Sequence, residues 1–415
     1  IRVGWGTERN RNGGQALAAI LAMPALLGKF GVRGGGYTLS NSGAVRLDLA
    51  RIFGPDAPPL RWNTRELNMS QLGRLLAGEL PGDGPPAPLS PPIQALFVYD
   101  CNPAATAPDQ NSVLQGLARE DLFTVVHEQV MTDTAHFADI VLPAVTFLEQ
   151  HEIKRSYGSY VLGGVQPAIE PMGEARPNEW VFAQLARVMG YQDEPFSWDT
   201  LTCLRKVSEA LDLSGQACDP DAVLNGIPQP IRFPGTGTPV QFGSVQPRTP
   251  DGKIHLTPAV LGPEPFSYQP GSDPRYPLAL VSGSNNAMIS STLGEFNYTE
   301  LRLTMHPADA SARGITDGDE VRVHNDLGEV VCRVNLSDRL REGVCSMPKG
   351  AWRKTSRNGR TSTALCGQHV NVVGGGACYN DARVEVEKRS AECSYLCVLG
   401  DLGGWVPEKA VPRTR

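Results

Sequence analysis

Short β-branched runs that alternate with polar, helix-forming segments between residues 94 and 143 limit the fold more than any other feature. The runs QALFVYD, FTVVHE and DIVLP have the pattern of buried strands, and a Pro-Asp pair at Pro108 and Asp109 is a helix start. The predicted elements are strands at 94–100, 123–128 and 139–143, with helices at 109–119 and 132–138 between them. Such alternation over short connections indicates βαβ crossovers, so we expect an α/β domain with a parallel, Rossmann-like sheet.

Polar side chains collect at the ends of these predicted strands. Asn102 follows the first strand and Glu128 ends the second, and ligands bind beyond the carboxyl ends of parallel strands. The next segment adds hydroxyls and a carboxylate at Thr132, Thr134 and Asp139. Ordinary structural roles stay open as well: Asn102 can form an Asx turn and Glu128 can be a solvated strand end. Thr132 and Asp139 can cap or close the turn instead of meeting a ligand.

A glycine-bearing loop near the start of the chain is a second candidate for ligand binding. The loop GTERNRNGG, at 6–14, separates a strand predicted at 1–5 from a helix predicted to begin near Gln15. A helix entered from such a turn offers free N–H groups and a positive dipole end to an anion. The loop lacks the third glycine of the dinucleotide fingerprint, so an ordinary strand-to-helix turn is an equal interpretation. Further helices are predicted at 68–80 and 178–189.

The hydrophobic period changes to two in the last third of the chain. EVRVHNDLGEVVCRVNL, at 320–336, alternates apolar and polar residues on both sides of a turn at 325–328, which predicts a β-hairpin. Together with the runs LALVS and ARVEVEK, it predicts a small closed or nearly closed β-domain. Thirteen prolines between residues 219 and 277 disfavour regular elements, so we expect a surface linker there.

Charge, hydropathy and cysteine usage exclude several classes of protein. A net charge of −6 over 415 residues gives no electrostatic basis for binding nucleic acid or an anionic membrane. The longest apolar run, at 16–28, is too short for a membrane span and contains Pro24. Nine cysteines without regular spacing indicate a reducing, cytoplasmic setting. Because the sequence starts at Ile1 without a leader, export to the periplasm stays open.

Familiar catalytic motifs are missing from the sequence. It contains no GxSxG elbow, no HExxH and no P-loop. Cys393 and Cys397 form a lone CxxxC pair, and two packed or surface thiols are favoured because a metal site needs about four ligands. Glu149 and Glu152 form a carboxylate pair that could do acid/base work, although such pairs are more often solvated. The chain is therefore expected to be a ligand-binding scaffold without a visible reactive group.

Five segments, in order along the chain, resemble the molybdopterin oxidoreductases of the dimethyl sulfoxide reductase type. They are VGWGTERNRNGG with GKFGVRGGG, ALFVYDCNPAATAPD, FTVVHEQVMTDTAHFADIVLPAVTFLEQHEI, TPDGKIHL with HPADASARGITDGDEVRVHNDLG, and HVNVVGGGACYNDARVEV. The third is the most specific, because it is similar to the family's run of T-x-T-A-x-x-A-D-[IV]-V-L-P. The resemblance implies two-electron redox or oxygen-atom transfer with a molybdenum or tungsten bis(molybdopterin guanine dinucleotide) cofactor.

The resemblance also implies which residues bind the cofactor. Asn102 would face the dinucleotide, and Glu128 would accept hydrogen bonds from ribose hydroxyls or guanine N–H groups. Glu152 would be a partner for guanine, and the N-terminal loop would contact pterin or phosphate. The implied cofactor-binding residues are Arg9, Asn12, Asn102, Glu128, Thr132, Thr134, Asp139, Glu152, Ser284, Asn285, Ser291, Asn371 and Tyr379. No residue is assigned to the metal.

Domain boundaries and partners follow from the same resemblance. The implied division is an N-terminal strand–loop–helix segment at 1–45, an α/β dinucleotide-binding domain at 46–195, a proline-rich linker at 196–275 and a double-psi-like, dinucleotide-binding β-barrel at 276–415. The family's first half supplies the molybdenum ligand and, where present, the cysteines of a 4Fe–4S cluster, and neither is found here. We therefore expect the C-terminal part of a longer polypeptide, whose missing half completes the sheet and is its first partner.

Three kinds of function stay open at this point. The first is the oxidoreductase, with a small-molecule substrate that the sequence does not identify and an electron-transfer subunit as a further partner. The second is a non-catalytic structural subunit that keeps the fold inside an electron-transfer complex. The third is a generic nucleotide-binding module.

Overall fold

The computed structural model of the chain describes residues 1–38, 40–54, 64–81, 87–233, 235, 237–247, 249–286, 288–296 and 300–389. Its backbone divides into two compact units, each assembled from several segments. The first unit is Ile1–Gly4, Ala19–Glu66 and Pro143–Leu256, and the second is Trp5–Ala18, Leu67–Leu142 and Thr257–Arg415. The division into four segments that was drawn along the sequence stays a prediction.

Helices and strands are short in both units. The α-helices of the described residues are α1 (Gly13–Leu26), α2 (Ala50–Phe53), α3 (Leu72–Leu76), α4 (Pro103–Thr106), α5 (Gln110–Leu117), α6 (Asn178–Val188), α7 (Thr200–Glu209), α8 (Pro220–Leu224) and α9 (Pro307–Ser311). The β-strands of the same residues are β1 (Arg46–Leu47), β2 (Glu79–Leu80), β3 (Ala87–Pro88), β4 (Ala95–Tyr99), β5 (Phe123–Glu128), β6 (Ile140–Pro143), β7 (Glu152–Arg155), β8 (Val161–Val165), β9 (Leu211–Asp212), β10 (Gln229–Pro230), β11 (Leu278–Val281), β12 (Arg302–Met305), β13 (Glu320–Asn325), β14 (Gly328–Leu336), β15 (Val344–Ser346) and β16 (Arg383–Lys388).

A closed six-stranded barrel forms the C-terminal part of the second unit, with the strand order β11–β15–β12–β14–β13–β16. The predicted hairpin is part of it, since β13 and β14 pair antiparallel and Asn325 lies opposite Gly328 across the turn. Val321 and Val323 alternate along β13 and are fully buried, because successive side chains of a strand face opposite sides. The predicted closed β-domain is therefore confirmed.

The second unit also contains a three-stranded sheet with the order β4–β5–β6. β4 and β5 pair in parallel, as the alternation of strands and helices predicted. Asp109 caps α5 by accepting a hydrogen bond from the backbone N–H of Ser112. One apolar core contains Leu114 and Leu117 of α5 together with Phe137, which lies between β5 and β6. The coarse prediction of an α/β fold with a parallel sheet is confirmed.

The N-terminal strand prediction is wrong. Residues 1–5 form no strand, because Arg2 makes a single parallel bridge with Thr38 and no ladder continues from it. The helix expected near Gln15 is present and begins two residues earlier, at Gly13. Its first turn follows an Asx turn in which Oδ1 of Asn10 accepts from the backbone N–H of Asn12.

Two helix predictions were too long. In place of a helix at 68–80, a 3₁₀ turn at Met69–Gln71 leads into α3, and Gly78 ends the segment with φ +82°. In place of a helix at 132–138, the chain makes a 3₁₀ turn at Ala135–Phe137. The helix predicted at 178–189 is confirmed as α6.

The first unit has its own small core. An antiparallel sheet with the order β10–β8–β7 and a two-stranded ladder of β1 with β9 surround it. Its buried residues are Ala44, Leu162, Leu211, Leu213, Cys218, Val223, Ile231 and Phe233.

The expectation of a surface linker without regular elements is wrong for its first part. Pro220 starts α8 at a position where its missing N–H is harmless, and Ala222 and Val223 of the same helix are buried.

The sequence predicted no membrane span and no disulfide framework. Among the described residues, no helix combines the length and the apolar character needed to cross a bilayer. Cys101 and six other cysteines of the same part of the chain are free thiols. The CxxxC pair of Cys393 and Cys397 lies outside the described residues.

The contact of β8 with α8 can be tested with two neighbouring glycines. A Cβ added to Gly164 would lie 1.7 Å from the carbonyl oxygen of Val223, whereas one added to Gly163 would meet no atom within 4 Å. We expect Gly164→Ala to lower the free energy of unfolding by about 1–3 kcal/mol, as overpacking does. The matched control Gly163→Ala should change it by less than about 1 kcal/mol. Urea unfolding followed by circular dichroism measures both, and equal losses would contradict tight packing of α8 on β8.

Candidate functional site

Asn102 and Thr134 form a buried junction beyond the carboxyl end of β4. Oδ1 of Asn102 accepts hydrogen bonds from the backbone N–H of Thr134 at 3.1 Å and from its hydroxyl at 2.8 Å. The hydroxyl of Thr134 in turn accepts from the backbone N–H of Ala104 at 3.0 Å. The Asx-turn alternative does not hold, since the side chain of Asn102 makes no capping bond to α4.

The other end of the Asn102 amide is available to a ligand. Its Nδ2 is buried and has no hydrogen-bond partner within the described part of the chain. A buried N–H group without a partner costs roughly 1–3 kcal/mol. The junction therefore leaves one donor that a bound acceptor can satisfy.

Glu128 ends β5 beside this junction, half-buried. Its Oε1 accepts from the backbone N–H of Gln129 at 2.8 Å. Burial raises the pKa of Glu128 above its ordinary value, and the nearby carboxylate of Asp100 acts in the same direction. Burial also raises the pKa of the neighbouring Cys101 thiol, so this thiol is not activated as a nucleophile. The edge thus presents a carboxylate that can accept hydrogen bonds and no evident reactive group.

Thr132 and Asp133 fix the turn that follows. The hydroxyl of Thr132 accepts from the backbone N–H of Ala135 at 3.1 Å, which is the capping alternative. Oδ2 of Asp133 accepts from the backbone N–H of Arg353 at 2.8 Å and so ties the turn to the barrel. Burial raises the pKa of Asp133. Asp133 has no predicted role, because nothing in the sequence places Arg353 beside it.

Asp139 lies away from the carboxyl ends of the strands. Its Oδ2 accepts from the backbone N–H of Thr124 at 2.6 Å, and its own N–H donates to the carbonyl of Thr124 at 2.8 Å. Thr124 is the second residue of β5, so Asp139 is placed near the amino end of that strand, and Glu128 is at the other end. These two hydrogen bonds close the turn, which was the structural alternative to ligand binding by Asp139.

The loop before α1 is held against the barrel by the amide of Asn371, a predicted site residue that is buried. Nδ2 of Asn371 donates to the carbonyl of Glu8 at 3.1 Å and to that of Asn10 at 3.3 Å. A Cβ on Gly13 would lie 2.9 Å from this Nδ2 and 2.6 Å from Cα of Glu8. Glycine at position 13 is therefore needed for the close approach of loop and barrel.

Further polar contacts fix the same loop. Asn12, also predicted, exchanges two hydrogen bonds with the backbone of Gln269, at 2.8 and 2.7 Å. Asp381 accepts from Nδ2 of Asn10 and pairs with Arg11 and His369. These partners keep the pKa of Asp381 below its ordinary value, although its burial acts in the opposite direction. The side chain of Asn12 is thus already hydrogen-bonded within the chain. Asp381 holds the loop in place, and this role was not predicted from the sequence.

Arg9 and Lys349 converge on the ring of Tyr379. The guanidinium carbon of Arg9 lies 5.9 Å from the ring centroid, and Nζ of Lys349 lies 5.8 Å from it. The Tyr379 hydroxyl donates to the carbonyl of Thr106 at 2.7 Å, and burial raises the pKa of Tyr379 to about 12. Burial and the charge of Arg9 lower the pKa of Lys349. Neither cation is paired with a carboxylate of the described residues, so the pair favours an anion.

Ser282 lies one residue before the backbone contact between Gly283 and Lys349. Its backbone N–H donates to Oδ1 of Asn380, and the N–H of Lys349 donates to the carbonyl of Gly283. The hydroxyl of Ser282 is buried and has no partner in the described structure. Ser282 and Lys349 are not among the site residues predicted from the sequence. Both follow barrel strands, β11 and β15, that pair in parallel, so their position after strand ends was the available signal.

The remaining predicted barrel residues lie in the exposed loop after β11. Ser284 and Asn285 are exposed, and Oδ1 of Asn285 accepts from the backbone N–H of Met288. Ser291 contributes its carbonyl, which accepts from Nε1 of Trp352 at 2.8 Å. The structure therefore shows loop-building bonds for Asn285 and Ser291.

Glu152 belongs to a different unit from the other predicted residues. It is exposed on β7 of the first unit, whereas the other twelve belong to the second unit. Glu149 has a structural role, because its two oxygens accept from the backbone N–H groups of Thr146 and Met172, both at 2.7 Å. These bonds lower the pKa of Glu149. A carboxylate held in this way is a structural acceptor, which argues against an acid/base pair.

Two family models match the chain. The model described as Molybdopterin oxidoreductase matches residues 1–188, and the model described as Molydopterin dinucleotide binding domain matches residues 281–383. The chain belongs to the molybdopterin oxidoreductase family. The family expected from the resemblance is therefore confirmed. The second match runs from the last residue of β11 to the first residue of β16 and includes Ser282 and Lys349.

Known relatives and a solved structure agree with this assignment. A Bacillus subtilis protein named "Probable oxidoreductase YoaE" is 32% identical over 94% of this chain and 56% of its own length. The dimethyl sulfoxide/trimethylamine N-oxide reductase of Rhodobacter capsulatus is 25% identical over 99% of this chain and 56% of the relative. Acetylene hydratase from Pelobacter acetylenicus has a similar fold, with a TM-score of 0.63 and 21% identity over 78% of this chain and 46% of that structure. The chain thus spans about half the length of the curated relatives that it matches.

The buried carboxyl of Asp133, which accepts from the backbone N–H of Arg353, makes the stability of the fold depend on pH. Because the pKa of Asp133 is raised in the folded chain, the fold gains stability from its protonated form and loses it as pH rises from the ordinary value of 3.8 through the folded pKa. Asp133→Asn keeps an oxygen acceptor for the Arg353 N–H but carries no charge. We expect the difference in unfolding free energy, variant minus wild type, to grow in favour of the variant between about pH 4 and pH 7. Urea unfolding at several pH values measures it.

Asp133→Ala is the comparison for this prediction. It leaves the N–H of Arg353 without its acceptor, so we expect a loss of about 1–3 kcal/mol at every pH. If the Asn and Ala variants were equally unstable at pH 7, the hydrogen bond would not be what joins the turn to the barrel.

Proposed function

We propose that this chain holds guanine dinucleotide arms of a molybdenum bis(molybdopterin guanine dinucleotide) cofactor, in a polypeptide that performs two-electron redox or oxygen-atom transfer. Family membership supports the proposal. The observation that carries it is the pair of cations, Arg9 and Lys349, which converge on Tyr379 without a carboxylate partner among the described residues. A dinucleotide brings a diphosphate, the anion that such a pair favours.

The donors and acceptors of the second unit fit such a ligand. Arg9 and Lys349 would neutralise the diphosphate, and the buried hydroxyl of Ser282 would bond to one of its oxygens. The unpartnered Nδ2 of Asn102 would donate to a ribose or purine acceptor, and Glu128 would accept from a hydroxyl or N–H group. When bound, the cofactor supplies a metal that exchanges two electrons with a substrate. The chain's own contribution is to bind and orient the cofactor.

Several finer features belong to the same proposal. The barrel would have double-psi topology, which is supported by its two parallel strand pairs, β11 with β15 and β12 with β14. A 4Fe–4S cluster, an electron-transfer subunit and the molybdenum ligand stay predictions for the longer polypeptide. Among the described residues, no group of three or more His, Cys, Asp or Glu side chains could hold a metal ion.

The names of relatives suggest the substrate class. A trimethylamine-N-oxide reductase of Haemophilus influenzae is 26% identical over 88% of this chain and 50% of its own length. Together with the reductase of Rhodobacter capsulatus, it supports reduction of a small N-oxide or sulfoxide. A non-catalytic structural subunit is less favoured, because these relatives are named reductases.

Binding of guanosine diphosphate (GDP) to the chain tests the cation pair. We expect Arg9→Gln and Lys349→Gln each to weaken GDP binding about tenfold or more, because each removes a charged donor to phosphate. The affinity of the wild-type chain should fall as salt is raised, since the interaction is electrostatic. Isothermal titration calorimetry measures both effects. Arg33→Gln and Lys253→Gln are matched controls in the first unit and should bind GDP as the wild type does.

Two outcomes would contradict the proposal at different levels. If Arg9→Gln and Lys349→Gln bound GDP like their controls, the dinucleotide would not lie at Tyr379. The enzyme assignment is tested separately on the full-length polypeptide, by metal analysis and acid extraction. Molybdenum or tungsten with a pterin and guanosine monophosphate is expected, and the absence of both metals and of the pterin would leave the structural-subunit alternative.

A further inference from the structure

A cavity of about 750 Å³ lies within the first unit, and none of the predicted or proposed cofactor-binding residues lines it. Small-molecule sites have volumes of roughly 300–1,000 Å³. Residues from the loop before β1, from β1 and β9, and from the segment after β10 form its wall. The size and the mixed wall are those of a site for a small organic molecule.

The wall is held in place by its own hydrogen bonds. Gln241 accepts from the backbone N–H of Tyr37 at 2.9 Å and donates to the Tyr37 carbonyl at 2.8 Å. Nδ2 of Asn41 donates to the carbonyls of Ser156 and Ser159. These polar groups are already satisfied, so they shape the cavity and offer little to a ligand. A wall fixed in advance lowers the entropy that a ligand must lose on binding.

Arg46 and Tyr160 each contribute a polar group to the wall. Arg46 is exposed on β1, and its guanidinium makes no hydrogen bond or ion pair with any described residue. Asp212 lies opposite Arg46 in the β1–β9 ladder and also lines the cavity, but its Oδ1 accepts from the backbone N–H of Gly215 at 2.7 Å. The hydroxyl of Tyr160 has no partner within the described ranges, and burial raises the pKa of Tyr160. Arg46 and Tyr160 therefore supply the wall with a cation and a neutral O–H donor, beside the carboxylate of Asp212.

An aromatic corner completes the cavity. The rings of Tyr160 and Phe233 meet edge to face, with centroids 4.9 Å apart and an interplanar angle of 80°. Both rings line the cavity. Aromatic rings in such a corner pack well against another flat, apolar group.

We propose that this cavity binds a small organic carboxylate with a planar, apolar body. Arg46 matches the fork geometry of a carboxylate, which it can hold through two parallel N–H bonds. The Tyr160 hydroxyl donates to the same carboxylate, and the planar body packs in the corner of Tyr160 and Phe233. This site lies wholly in the first unit and does not depend on the proposed dinucleotide function.

Benzoate is the probe for this proposal, titrated into the full chain by ligand-observed NMR or calorimetry. We expect saturable binding at millimolar concentration or below. Benzamide, which keeps the ring and loses the charge, should bind about tenfold more weakly. Cyclohexanecarboxylate, which keeps the charge and loses the flat ring, should also bind more weakly. No saturable binding of benzoate, or equal binding of benzamide, would overturn the proposal.

Variants of the wall locate the binding. We expect Arg46→Gln to weaken benzoate binding about tenfold or more, and Tyr160→Phe about three- to tenfold, since it loses one hydrogen bond. Arg46→Lys keeps the charge without the fork and should lie between Arg46→Gln and the wild type. The control Arg187→Gln removes an arginine of α6 that does not line the cavity, and it should change nothing. Wild-type affinity in Arg46→Gln, with its circular dichroism unchanged, would overturn the assignment of Arg46.

Discussion

The side-chain amide of Asn371 holds the N-terminal loop of the second unit to the segment that precedes β16. It satisfies four backbone groups, the carbonyls of Glu8 and Asn10 and the N–H groups of Val373 and Gly374. Each neutral bond contributes only about 1 kcal/mol, but buried backbone groups without partners cost more. The loop has no helix or strand of its own, so these bonds determine its path. The position of Arg9 over Tyr379 depends on that path.

The charges around this loop are distributed unevenly. Arg11 pairs with Asp381, and elsewhere in the barrel Arg313 pairs with Glu385. Arg9 and Lys349 are the exceptions at the site, because both face the ring of Tyr379. Burial and the charge of Arg9 lower the pKa of Lys349. Two cations that repel each other destabilise the unliganded fold. An anion bound between them relieves that repulsion, so ligand binding and folding of this region are coupled.

Sequence periodicity predicted the elements of the fold better than the contacts between them. The hairpin of β13 and β14 follows from alternation alone, and α5 follows from its Pro-Asp start. By contrast, Asn102 and Thr134 are 32 residues apart, and no local pattern pairs them. The roles of Lys349 and Asp381 likewise depend on tertiary contacts with the N-terminal loop. Proline density predicted an exposed linker, but burial of Val223 and Phe233 outweighed that local preference.

The orientation of the Asn102 amide follows from its neighbours. Its oxygen faces the backbone N–H and the hydroxyl of Thr134, and that hydroxyl already accepts from Ala104. The opposite orientation would set the NH₂ group against the N–H of Thr134, so the network fixes the oxygen there. Nδ2 must then be the atom left without a partner. A ligand that binds beside Nδ2 must offer a hydrogen-bond acceptor, and ribose hydroxyls and purine carbonyls both do. Asn102 therefore selects the kind of ligand atom. Thr134 determines where that atom lies, because it fixes the orientation of the Asn102 amide.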